Sequence, residues 1–231
     1  MSAVHLLLWV ALPYAAIVLF LAGHVWRYRI DQYGWTTRST QLLEGRMLKW
    51  GSILFHYGAL AAIGGHVLGI LIPASLTADV GVHEHTYHLI SASAGTVAGL
   101  ACGAGLVILI WRRAAAPRVR VTTTRMDVAV YMLLALVIGL GLAETIGRNT
   151  IGGGYDYRAT VGEWFRSIVL MHPQPSRMVG APVLYQLHAV CAWLILAVWP
   201  FSRLVHAWSI PLQYVGRPHI LYRRRWTPAK R

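Results

Sequence analysis

The sequence predicts an all-α integral membrane bundle of five transmembrane helices, with the N-terminus outside and the C-terminal tail cytoplasmic. Three observations predict it. Of the 231 residues, 56% are hydrophobic and only 13% charged, about half the charged share of a soluble domain. The apolar residues arrive in five blocks, each long enough to cross a hydrocarbon core of ~30 Å, which takes about 20 helical residues. Lys and Arg gather in alternate connectors, the pattern that orients membrane chains. Blocks of this length exclude strands, and only helices or closed barrels satisfy their backbone in lipid.

The first block runs from Val4 to Trp26. No Lys or Arg precedes it, so it reads as a span and not as a cleaved signal. The connector after it holds Arg27, Arg29, Arg38, Arg46 and Lys49. The second block, Met47 to Leu71, is closed by Pro73, and the connector beyond it carries Asp79 and Glu84 but no Lys or Arg. The third block, Tyr87 to Trp111, leads into Arg112, Arg113, Arg118, Arg120 and Arg125. Thr124 with Asp127 is expected to cap the fourth block, Val128 to Ile146. A long connector with Gly152, Gly153, Gly154, Pro173 and Pro175 follows, with a short surface helix expected around Val161–Leu170. The fifth block runs from Val183 to Trp208. Residues 1–210 thus form the membrane domain, and 211–231 form a basic, aromatic tail suited to docking or to anionic headgroups. The net charge of +13 lies in connectors, so it sets orientation and does not mark a nucleic-acid partner. Cys102 and Cys191 sit inside apolar blocks as small core residues, and no Cys-x-x-Cys-His haem-attachment motif occurs.

Four histidines lie inside spans: His56 and His66 in the second, His188 and His206 in the fifth. Ionisable side chains at membrane depth are rare and mark function. His56 and His66 are ten residues apart, about 15 Å along an ideal helix, whereas His188 and His206 are eighteen apart, five turns and about 27 Å. Antiparallel packing pairs His56 with His206 near the cytoplasm and His66 with His188 near the outside. Each pair can clamp one flat macrocycle, because neutral imidazole is a good axial ligand for haem iron. The two axial separations differ by about 12 Å, a mismatch that a kink at Pro200 and tilted haem planes would absorb. The competing readings are core histidines bonded to neighbours, or a transition metal, although neither pair has carboxylate or thiolate companions.

Other residues carry two readings each. Gly58, Gly64, Gly65 and Gly69 around the second-span histidines either make room for porphyrin or permit close helix packing. Arg203 grips a haem propionate or snorkels to the surface. Arg112 and Arg113 read first as membrane anchors, with propionate contact as the alternative. His83, Glu84, His85 and His88 line a quinol pocket, where groups that titrate usefully take up protons, or they belong to a solvated loop. Glu144 relays protons or ends the fourth helix at headgroup level. His5, His24, His172 and His219 receive no role.

Beyond these patterns, Pro200-Phe-Ser-Arg-Leu-Val-His206-Ala-Trp-Ser-Ile-Pro211 resembles the most distinctive segment of a known family, the gamma subunit of respiratory nitrate reductase, a dihaem cytochrome b. Pro117-Arg-Val-Arg-Val-Thr-Thr-Thr124, Leu54-Phe-His56 and Gly65-His66-Val-Leu-Gly69 are similar to it too, and the likeness covers nearly the whole chain. The resemblance implies two b-type haems, the inner one held by His56 and His206 and the outer by His66 and His188. It implies quinol oxidation beside the outer haem near Gly65 and His66. Electrons would then pass to a cytoplasmic iron–sulfur beta subunit and a molybdenum-containing alpha subunit, in the plasma (inner) membrane of a prokaryote. Family members can place a Lys in the second outer connector; here His85-Thr86-Tyr87-His88 holds none, and His85 or His88 is expected to supply the donor. The alternatives are the cytochrome b subunit of another quinone-linked reductase, and a haem-free anchor or transporter.

Overall fold

The computed structural model describes residues 2–208; the basic tail, 211–231, lies outside the described residues. The described residues are mainly helical, with no strands among them. Five helices are long and apolar enough to cross a membrane: α1 (Ala3–Ile30), α2 (Arg46–Leu71), α3 (Glu84–Ala115), α4 (Arg125–Ile151) and α5 (Val183–Phe201). Each expected block is there. The first four helices run further than hydropathy alone indicates, because polar residues at a helix end can stay in the helix when water or a partner satisfies them. Thr124 and Asp127 make the expected cap at the start of α4, as a reciprocal capping box. The expected connector helix occupies Arg158–Val169, opening with one π turn.

The spans pack in a row. α2 lies on α3, α3 on α4, α4 on α5, and α5 on α1, while α2 and α5 share no comparable packing. Closest approach is between α2 and α3. A Cβ on Gly58 would overlap the Cys102 backbone, and one on Gly105 would overlap that of Phe55. Such small-residue contacts drive helix association where lipid is as apolar as the core. The row curves, which brings His66 of α2 and His188 of α5 ring to ring. A second core joins α1, α5 and the connector helix: Trp9, Trp164 and Trp193 stack edge to face around Ile168 and Met178.

The two ends of the bundle are built differently. Where α1 begins and α2 ends, π turns interrupt Leu7–Ala11, Val67–Leu71, Ala143–Ile151 and Arg158–Gly162, a feature often found near functional sites. Arg166 donates to the Ile70 carbonyl at 2.8 Å and Arg158 to that of Ile72 at 3.3 Å, capping the C-terminus of α2. The Arg158 guanidinium also lies 4.0 Å over the Tyr87 ring. Tyr87 and Tyr157 share a hydroxyl hydrogen bond of 2.9 Å; burial, then this bond, pushes the Tyr157 hydroxyl above the ordinary phenol range, so it stays protonated.

At the opposite end, arginines are buried and paired. Arg112, 2% exposed, donates to Glu44 Oε2 at 2.6 Å and to Thr40. Arg113 lies 3.7 Å from Asp127 Oδ2. The expectation that Arg112 and Arg113 are surface anchors is therefore corrected: carboxylates on the connector before α2 and on α4 draw them inward. Burial pushes the Glu44 carboxyl up, but N–H groups of Met47 and Leu48 and the Arg112 guanidinium outweigh it and hold it below the usual carboxylate range. A depressed folded-state pKa contributes stability above the unfolded value, about 4.3, and loses it as pH falls through the folded one. Thermal midpoints measured on acidification should fall through this range, and Glu44→Gln should flatten that part of the profile.

α5 is broken, not merely kinked. It ends in a 3-10 turn over Trp199–Phe201; Ser202 is extended (φ −113°, ψ −178°), and a separate 3-10 segment, Arg203–Trp208, carries His206. Pro200 has no N–H to continue the helix. The Ser202 hydroxyl caps the new turn by accepting from the Leu204 N–H at 3.1 Å. Arg27 of α1, 4% exposed, bonds the Pro200 carbonyl at 2.6 Å and that of Ser202 at 3.3 Å. Gly23 lets Pro200 approach, since a Cβ there would meet its ring at 2.7 Å.

Candidate functional site

The break in α5 brings the four histidines into two pairs. The His56 and His206 ring centroids are 6.0 Å apart with planes at 69°. Those of His66 and His188 are 5.8 Å apart with planes at 15°. The 12 Å mismatch disappears because His206 does not ride on a continuous helix from His188.

The separations have a chemical meaning. A metal–imidazole bond of about 2 Å, with nitrogen about 1.1 Å from its ring centre, puts two imidazoles on one iron with centroids about 6 Å apart. The tautomers fit as well. His56 Nδ1 lies 2.7 Å from the Ser52 carbonyl, His66 Nδ1 2.7 Å from that of Ala62, and His206 Nδ1 2.6 Å from that of Arg203. A carbonyl only accepts, so Nδ1 carries the hydrogen and Nε2 the lone pair a metal needs. His188 departs from this: its Nδ1 is buried without a hydrogen-bond partner, 3.8 Å from Glu144 Oε2.

The glycines divide between their two readings. Gly58 serves packing on α3, and a Cβ on Gly69 would strike the Tyr87 and Tyr157 hydroxyls. Gly64 and Gly65, beside His66, have nothing within 4 Å of a Cβ position, which matches a surface left flat for a macrocycle. Arg203 has an anionic protein partner: its Nε donates to Asp127 Oδ1 at 2.7 Å.

His85 is exposed at the start of α3. His88 turns toward Gly154, where a Cβ would lie 3.1 Å from its Nε2, and that nitrogen is buried without a partner. Among the described residues, no hydrogen bond or ring contact joins either to His66. Glu84 turns aside to Arg158, 3.4 Å away. Among the described residues, no three His, Cys, Asp or Glu side chains converge as a set for a bare metal ion.

A family model described as nitrate reductase gamma subunit matches residues 5–225. The chain belongs to that family. The nitrate reductase gamma chain of Bacillus subtilis is 44% identical over 95% of this chain and 98% of its own length. The respiratory nitrate reductase 1 gamma chain of Escherichia coli K12 is 34% identical over 92% of this chain and 94% of its own. A nitrate reductase-like protein, NarX, of Mycobacterium tuberculosis is 43% identical over 95% of this chain, which spans 34% of that longer protein. As a nitrate reductase gamma subunit, the chain is the membrane-anchored component of a multi-subunit oxidoreductase, and membership implies a cytochrome b type subunit with catalytic and electron-transfer partners.

Sequence reasoning missed Asp127 as the shared partner of Arg113 and Arg203, Arg27 as the clamp on the α5 break, and Glu144 as the neighbour of His188. Asp127 carried a signal, since a capping residue followed by an apolar helix sits at the depth where arginines need carboxylates. The other two contacts depend on how α1 and α4 rotate against α5, which no spacing rule gives.

Proposed function

We propose that this gamma subunit oxidises quinol at the His66/His188 end, facing outside, and delivers electrons to a cytoplasmic iron–sulfur beta subunit serving a molybdenum-containing alpha subunit. The observation that carries the reading is the pair of imidazole couples at iron-bridging separation, one toward each end of α2. When bound, two b haems supply one-electron carriers between the ends. His66 and His188 would hold the outer one and His56 and His206 the inner one. Arg203, anchored by Asp127 beside His206, is the residue that would hold an inner propionate. Gly64 and Gly65 leave the face of His66 open for the macrocycle and for quinol, and His85 or His88 accepts a hydrogen bond or proton from the quinol. The arginine-rich end faces the cytoplasm of a prokaryotic inner membrane, as the positive-inside rule requires.

The test uses the complex purified from membranes with its partner chains. A reduced-minus-oxidised spectrum should show b-type bands at two haems per gamma chain, both reduced by a short-chain quinol. A colourless chain, or haems that quinol does not reduce, would overturn the reading and favour an anchor without electron transfer.

A further inference from the structure

Three of the four histidines donate Nδ1–H to a carbonyl of their own segment, and His188 does not. The group set before its Nδ1 is the Glu144 carboxylate, Oε2 at 3.8 Å. Glu144 is 8% exposed, and its other oxygen, Oε1, has no hydrogen-bond partner. Each of the two side chains therefore has one buried polar atom without a partner, His188 Nδ1 and Glu144 Oε1, in the part of the molecule where an unpaired carboxylate is most costly.

Local sequence brings them together. Gly141 lies three residues before Glu144, and a Cβ on it would come within 2.9 Å of His188 Cε1; its absence lets the ring lie against α4. At Ala143 the helix passes into the π segment Ala143–Ile151, which rotates Glu144 relative to a regular helix. A movement of about 1 Å brings the pair to hydrogen-bond distance.

We infer that Glu144 is the outer-shell acceptor for His188 Nδ1–H and so a positioning residue for the outer haem. The inference rests on the haem reading above. A carboxylate in this role fixes ring orientation and raises the basicity of a metal-bound imidazole more than a carbonyl does. The ferric state of the outer site is thereby favoured, while the Nδ1 atoms of His56 and His206 lie at 2.7 Å and 2.6 Å from backbone carbonyls. Glu144 thereby makes the outer site hold its electron less tightly than it would without the carboxylate, which eases transfer from the quinol end toward the arginine-rich end.

The experiment is a redox titration of the purified complex, followed by visible absorption, for the native chain and for Glu144→Gln, Glu144→Ala and Glu144→Asp. The outer haem is the one that disappears in His188→Ala. Gln and Ala should raise the outer midpoint by about a tenfold change in its oxidised-to-reduced ratio, about 59 mV for a one-electron couple. The inner midpoint should not move, and Asp should recover part of the shift. Selective loss of the outer haem in Glu144→Ala, with the inner one retained, supports the same role. An unchanged outer midpoint in Glu144→Gln with both haems bound, or equal shifts in both, overturns it. A native complex with no haem would instead overturn the functional reading itself.

Discussion

Replacing any one of the four histidines with alanine is expected to remove one haem and leave the other, and the losses should fall in pairs. His56→Ala and His206→Ala should lose the same band, and His66→Ala and His188→Ala the remaining one. The pairing follows from the geometry: each imidazole faces its partner at about 6 Å, 6.0 Å and 5.8 Å for the two couples, and an iron held as proposed between the rings of a couple would lose one of its bonds when either ring is absent. Quinol-dependent electron delivery should fall by more than about 100-fold in every case, beyond the 10–100-fold typical of outer-shell partners. Haem content per chain and reduced spectra of the four variants check this. A variant pair such as His56→Ala and His188→Ala losing one common band would contradict the assignment.

The five spans were legible because membrane solvation imposes a length and composition that no neighbouring helix can alter. The pairing of His56 with His206 and of His66 with His188 was legible for a related reason: alternating spans must run antiparallel, so rank order along the second and fifth apolar blocks sets the partners. The break after Pro200 was only half legible. Proline announces a lost N–H, but whether the chain bends or stops depends on what satisfies the freed carbonyls, and here Arg27 does so from another helix. Arginine roles were misread for the same reason. Arg112 at the end of an apolar block looks like an anchor until Glu44, 68 positions away in sequence, reaches it. Glycines at one spacing on α2 took opposite roles, Gly58 on α3 and Gly65 on the open face, because a missing side chain records only that room was needed, not for what.

Asp127→Asn should be the most damaging single change away from the histidines, and its damage should be one-sided. Asp127 is 3% exposed and serves three groups: Arg203 Nε at 2.7 Å, Arg113 Nη1 at 3.7 Å, and the Thr124 backbone N–H at 3.0 Å. Asparagine keeps the shape and can still serve the cap, but it leaves two guanidiniums near each other without a carboxylate. Breaking a buried pair from one side costs about 3–5 kcal/mol, which lowers the thermal midpoint by roughly 6–20 °C for a chain of this size. Thr124→Ala is the control, because it removes the cap alone at about 1 kcal/mol. The local consequence separates the two further. Arg203 opens the 3-10 segment that carries His206, and its carbonyl receives the His206 Nδ1–H. Releasing its side chain loosens the segment that carries His206 while His66 and His188 keep their positions. Asp127→Asn should therefore lose inner haem preferentially, and Thr124→Ala should keep both. Equal loss of both haems in Asp127→Asn, or a midpoint shift no larger than that of Thr124→Ala, would show that the buried arginines at this end find other partners and that Asp127 does not hold His206 in place.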